Sequence, residues 1–129
     1  MSDLDPAAAA LRVILVDDDR PFREMTRALL EADERIEIVA EASNGIHALL
    51  LIERIRPAAA VIDLDIPALT GLELIRLIRE SWPERRVVVV TGSDDPADEA
   101  AALECGAACV LTKDGISAEA IGTALSEGC

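Results

Sequence analysis

Apolar residues in this chain fall into short, nearly unbroken runs, and four of these runs stop abruptly at polar groups. Arg12 to Val16 ends in Asp17-Asp18-Asp19, Ala58 to Ile62 in Asp63, Val87 to Val90 in Thr91, and Cys109 to Thr112 in Lys113. Runs of this length predict strands buried on both faces. A fifth run, Ile36 to Ala42, alternates in part and predicts a strand at a sheet edge. The intervening segments carry helical spacing. Pro21 to about Ala32 sets Phe22, Met25, Leu29 and Leu30 along one face, and Ile46 to Arg56 stops before Pro57. Leu69 to about Ser81 carries Leu72, Ile75, Leu77 and Ile78. Pro96 to Cys105 is stopped by Gly106, and Ser117 caps a helix reaching about Glu127. Pro67 forbids continuation of the third strand and favours a turn or the start of a helix.

Strand and helix alternate five times. Strict alternation with unbroken apolar strands implies an α/β fold, a doubly wound five-stranded parallel sheet with helices on both faces. In the flavodoxin-like strand order 2-1-3-4-5, the first and third strands are neighbours at the switch point, where ligands bind beyond the carboxyl ends. Asp17, Asp18 and Asp63 then share one crevice, and Thr91 and Lys113 reach the same rim. Residues 11–129 make one domain, preceded by a loose leader over residues 1–10.

Composition narrows the chemistry. Hydrophobic residues make up 51% of the chain and aromatics only 2%, so the core must be aliphatic. A net charge of -13 makes the chain a poor partner for nucleic acid or anionic membranes. The first ten residues carry two acids and no base, the opposite of a secretory signal, and no apolar run approaches the ~20 residues of a membrane helix. The expected location is the cytoplasm. Cys105, Cys109 and Cys129 are an odd set without a signal peptide, which argues for reduced thiols. Cys105 and Cys109 read as apolar packing rather than a zinc site, which needs more ligands.

Three close carboxylates repel one another unless a cation joins them. An all-oxygen set suits Mg²⁺, with Mn²⁺ as the alternative, and not zinc. A carboxylate beside such a cation can act as a nucleophile toward phosphorus. A lysine ammonium and a hydroxyl can pair with the transferred oxygens. No His or Glu stands ready as a base to drive turnover. Taken singly, each residue has a plainer reading: Asp17 to Asp19 as a helix cap, Asp63 as a turn residue, Thr91 as a loop hydroxyl, Lys113 as a surface lysine. Together at one rim, the site reading outweighs these. His47 sits in a helix away from the rim, Trp82 marks the opposite edge of the sheet, and Glu31, Asp33, Glu34 and Glu37 read as solvated surface.

Asp17-Asp18, Asp63 with Pro67 and Gly71 at matching spacings, Thr91 and Lys113 resemble the receiver domain of bacterial two-component response regulators, over about residues 12–127. The segments Asp94-Asp95-Pro96, Cys105-Gly106-Ala107-Ala108 and Lys113-Asp114 resemble NarL/FixJ-type receivers in particular. The resemblance implies that Asp63 is the phosphoacceptor, Asp18 a direct Mg²⁺ ligand and Asp17 one acting through a metal-bound water. It implies that Asp65 offers its backbone carbonyl to the metal, Thr91 is the switch hydroxyl, and Lys113 is the phosphate-binding lysine. The implied donor is a phosphohistidine on a sensor histidine kinase. The implied output is a partner protein or a C-terminal effector domain, reached by dimerisation on activation or by passing the group onward.

Two positions depart from that pattern. Val110 stands where many receivers have Tyr or Phe, and Asp19 where NarL-type receivers often have His. The chain stops at Cys129, so it is either a stand-alone receiver or part of a longer regulator. Two rivals remain. Asp63-Leu64-Asp65 with Thr91 and Lys113 also resembles haloacid-dehalogenase-like phosphatases, although in those the Asp-x-Asp lies on the first strand. A phosphate-independent pseudo-receiver is the other.

Overall fold

The computed structural model describes residues 10–128. The leader expected over residues 1–10 lies outside the described residues except for Ala10. Ten elements alternate as expected: β1 (Leu11–Val16), α1 (Arg20–Glu31), β2 (Ile36–Ala42), α2 (Gly45–Ile55), β3 (Ala59–Ile62), α3 (Gly71–Ser81), β4 (Arg86–Thr91), α4 (Pro96–Cys105), β5 (Cys109–Thr112) and α5 (Ala118–Glu127). All strand pairs are parallel, in the order β2-β1-β3-β4-β5. The partly alternating β2 is an edge strand, and its register against β1 slips between Val13 and Ile14.

Strand alternation divides the core between the two faces. Ile14, Val16, Ala60, Ile62 and Val89 pack with Ala48 and Ile52 of α2, Leu74, Ile75 and Ile78 of α3, and Ala102 of α4. Val13, Leu15, Val61, Val88 and Val90 pack with Leu30 of α1 and with Ile121, Ala124 and Leu125 of α5. The core is aliphatic, as the composition requires. Trp82 lies at the carboxyl end of α3, partly buried against the first cluster.

Several expectations change at side-chain level. On α1, Thr26 is buried while Met25 is 43% exposed, because Phe22, Thr26 and Leu30 follow the four-residue spacing that faces the sheet. On α3, Leu74 is fully buried and Leu77 is not. Pro67 starts no helix: Ala68 has a φ of 71°, a left-handed conformation that interrupts one. The helix begins at Gly71, after a capping box in which Thr70 and Glu73 satisfy each other's backbone N–H groups. Arg56 ends α2 in a left-handed conformation, since the residue before Pro57 disfavours the helical region. The expectation that every thiol is reduced is also corrected. Cys109 is disulfide-bonded, and Cys105 is the free thiol among the described residues. An odd cysteine count requires only that one thiol stay unpaired.

The loop between β3 and α3 is pinned by two close backbone approaches. Gly71 N–H donates to Leu64 O at 3.3 Å and Gly45 N–H to Pro67 O at 3.2 Å. A Cβ on Gly71 would meet Leu64 Cα at 2.6 Å and Asp63 O at 2.9 Å, both main-chain atoms. Gly71→Ala is therefore expected to cost about 2 kcal/mol of stability, read as a lower denaturant midpoint at constant m-value. An unchanged midpoint would show that the loop shifts without cost.

Candidate functional site

Val16 of β1 pairs with Ile62 of β3, so Asp17 and Asp63 occupy the next rung on neighbouring strands. Both remain tied to the ladder: Asp17 N–H donates to Ala42 O at 3.0 Å, and Asp63 N–H to Val16 O at 2.9 Å. Their backbones are thus as fixed as the sheet. By alternation their side chains follow Leu15 and Val61 toward the α1 and α5 face. Asp17 is 6% exposed and Asp63 4%, while Asp18, the first residue turning away from the strand, is exposed. One carboxylate oxygen from each of Asp17, Asp18 and Asp63 lies within 4.8 Å of the others.

β4 and β5 bring the remaining groups. Lys113 follows β5, and its N–H donates to Thr91 O at 2.7 Å. Its ammonium reaches back to Asp63 Oδ2 at 2.9 Å and Asp17 Oδ2 at 3.1 Å. Thr91, at the end of β4, is buried, and its Oγ1 accepts a hydrogen bond from Ser93 N–H at 3.1 Å. Asp65 N–H donates to Asp63 Oδ1 at 3.1 Å, and the exposed Asp65 carboxylate stands outside the group of three. His47 is exposed in the first turn of α2, also outside that group.

The helix-cap reading holds for one aspartate of the acidic triplet. Asp19 caps α1 by accepting from Phe22 N–H at 3.2 Å, while Asp17 Oδ1 accepts from Asp19 N–H at 2.8 Å. This fixes the Asp17 side chain and costs no capping capacity.

Three residues of α1 join the site that sequence spacing alone did not single out. Arg23 Nη1 donates to Asp17 O at 2.6 Å, and its Nε to Glu41 Oε1 at 3.0 Å. Glu41 is shared with Arg27. The Phe22 ring lies under the Lys113 ammonium, 4.4 Å from the ring centroid, a cation–π contact worth about 0.5–2 kcal/mol. Thr26 lies one turn further along the same face. The signal available beforehand was the four-residue spacing of Phe22, Thr26 and Leu30; their destination required the strand order.

The electrostatics follow from burial. Burial raises the Asp17 carboxyl to about 6, with the neighbouring Asp63 charge pushing the same way. The Asp19 N–H and Lys113 oppose this only in part. Burial pulls Lys113 down, but its bonds to Asp63 and Asp17 outweigh that and hold it above the ordinary lysine value. The pocket thus draws positive charge to the point where two carboxylates converge. The candidate ligand atoms gathered beside the Lys113 ammonium are all carboxylate oxygens, which fits a hard divalent cation. Asp17, Asp18 and Asp63 are the side chains able to hold it.

Known proteins resemble this chain in sequence and in fold. A family model described as the response regulator receiver domain matches residues 13–125. The chain is 33% identical over 109 residues, 84% of its length, to the nitrate/nitrite response regulator protein NarP of Escherichia coli (strain K12), of which it covers 51%. It is 43% identical over 88 residues, 67% of its length, to a response regulatory protein of Yersinia pestis, of which it covers 36%. The chain therefore spans about a third to a half of these curated relatives. Among solved structures, the signal receiver domain of NarL from Mycobacterium tuberculosis superposes with a TM-score of 0.85 at 30% identity, over 92% of this chain and 98% of that one.

Proposed function

Because this chain belongs to the response regulator receiver domain family, we propose that Asp63 is its phosphoacceptor, charged by a phosphohistidine of a partner sensor kinase. The observation that carries the reading is Lys113, whose single ammonium lies within 3.1 Å of carboxylates from two neighbouring strands. A lysine placed there reaches both the nucleophile and the oxygens of a phosphoryl group delivered to it.

The Asp63 carboxylate attacks phosphorus, the phosphorus–nitrogen bond of the donor breaks, and the imidazole nitrogen keeps the electron pair. The hydrogen bond from Asp65 N–H to Asp63 Oδ1 orients the nucleophile. Lys113 is held by the Phe22 ring and by its backbone bond to Thr91, so it can release the carboxylates and pair with a phosphoryl oxygen without leaving the rim. Thr91 Oγ1 accepts from Ser93, which leaves its own proton to donate to another phosphoryl oxygen. Asp17, Asp18 and Asp63 would hold a Mg²⁺ ion, with the Asp65 backbone carbonyl as a further ligand, and the ion when bound would neutralise charge on the transferred group. Asp17, fastened by Asp19 N–H and by Arg23 through its carbonyl, keeps the acidic wall in place during the transfer.

The chain acts as a switch on its own phosphorylation state and not as an enzyme turning over a free substrate. The match of residues 13–125 to the receiver family disfavours the dehalogenase-like phosphatase. The assembled pocket disfavours the pseudo-receiver. Val110, at the position of the usual aromatic, is a partly buried aliphatic packed on the α2–α4 face. The output therefore runs through Thr91 and the loop to α4 without a rotating ring, toward a partner protein, an effector domain or a second copy of the chain. No helix among the described residues is long and apolar enough to cross a membrane, and we place the protein in the cytoplasm with its kinase.

Intact-mass spectrometry after incubation with phosphoramidate tests the reading. One added phosphoryl group is expected with Mg²⁺ and none without it. A folded, Mg²⁺-binding sample that stays unmodified would overturn the phosphoacceptor role and revive the pseudo-receiver.

A further inference from the structure

Beside the two buried aspartates lies a small cavity of about 10 Å³, whose lining includes Leu15, Val61 and Val90 from the sheet, Thr26 and Arg23 from α1, and Asp17 and Asp63 themselves. Thr26 is 3% exposed, and its Oγ1 has no hydrogen-bond partner in the protein among the described residues. A buried hydroxyl without a partner is costly, and an aliphatic residue would fill an α1 stripe more cheaply. The stripe reads Phe22, Thr26, Leu30, so the hydroxyl sits where the helix passes from the lysine to the core. A cavity of this size holds one water when two to four polar groups surround it.

We propose that this cavity is a binding site for a single internal water and that Thr26 is a positioning residue acting through it on the acidic pocket. The Thr26 hydroxyl donates to the water, whose two protons point to the carboxylates of Asp17 and Asp63. Each carboxylate already takes one backbone N–H and one contact from Lys113, and each retains acceptor capacity toward the cavity. The water ties the two acids together from the cavity while Lys113 ties them through its ammonium. It keeps the Asp63 carboxylate at one orientation when the lysine departs for a phosphoryl oxygen. The effect on phosphoryl transfer rests on Asp63 being the phosphoacceptor; the water itself does not.

Two variants separate this from a packing role. Thr26→Val keeps the shape and removes the hydroxyl, and Thr26→Ser keeps the hydroxyl and removes a methyl group. A crystal structure of the wild type at better than about 1.5 Å is expected to place a water within hydrogen-bond reach of Thr26 Oγ1 and both carboxylates, and Thr26→Val to lose it. With phosphoramidate and saturating Mg²⁺, Thr26→Val is expected to accept phosphoryl about fivefold to tenfold more slowly, and Thr26→Ser at the wild-type rate despite a lower melting temperature. That ordering inverts what packing alone predicts. A dry cavity in the wild type would overturn the proposal, as would a Thr26→Val protein that is more stable and reacts at the wild-type rate. If the wild type accepts no phosphoryl group, the phosphoacceptor reading fails, and the electron density alone decides the water.

Discussion

Asp63→Asn is expected to take up no phosphoryl group from phosphoramidate and Mg²⁺ under conditions that modify the wild type fully, a loss of about a thousandfold or more. The amide has the shape of the carboxylate but neither its charge nor its nucleophilicity. The same substitution should leave the fold intact, because the backbone of residue 63 remains tied to Val16 O and Lys113 keeps its contact with Asp17. Circular dichroism and thermal melting of the variant separate lost chemistry from lost structure. Asp63 is the buried carboxylate on the β3 rung and Asp18 is exposed, so residual labelling of Asp63→Asn at Asp18 or Asp17, mapped by peptide mass spectrometry, would mean that the nucleophile has been misassigned.

The second large effect is the pH dependence of cation binding. Burial, aided by the Asp63 charge, raises the Asp17 carboxyl from an ordinary 3.8 to about 6. In the absence of metal the folded chain then holds a proton on Asp17 that the unfolded chain has released between pH 4 and 6. Stability contributed by this group is present below about pH 4 and lost as pH rises through 6, by about 3 kcal/mol at most. A divalent cation competes with the same proton. Mg²⁺ affinity is therefore expected to fall about tenfold per pH unit below 6 and to level off above it. The melting temperature should drop from pH 4 to 7 without Mg²⁺ and recover at pH 7 when Mg²⁺ is added. Calorimetric titration at pH 5 and 7.5, with melting curves at the same points, reads both arms. Equal Mg²⁺ affinity at the two pH values would show that Asp17 carries no proton the cation must displace. Trp82 lies at the far edge of the sheet and is a poor probe for this titration.

Apolar runs and their breaks determined much of this protein without any structure. Ten elements, their order and the parallel sheet follow from period and punctuation, because strands buried on both faces cannot be written with polar residues inside them. The position of Asp17, Asp18, Asp63, Thr91 and Lys113 at strand ends follows from the same breaks, and strand order alone then brings them to one rim. The capping box of Thr70 and Glu73 was written in the sequence too, but the apolar Leu69 before it imitates a first helical turn.

Tertiary structure decided the rest. Which residue of α1 faces inward, Met25 or Thr26, depends on the rotation of the helix about its own axis against the sheet; a one-residue difference in phase separates the two readings. The contacts of Lys113 with Phe22, of Arg23 with Glu41, and of Thr26 with the cavity beside the acids join residues far apart in the chain. Even the raised Asp17 carboxyl is a property of depth and not of residue type, since the adjacent Asp18 remains in solvent. Sequence fixes which groups arrive at the rim, because their distance from each strand is counted along the backbone. Packing fixes how far each one is removed from water, and that sets its charge, its partners and its role.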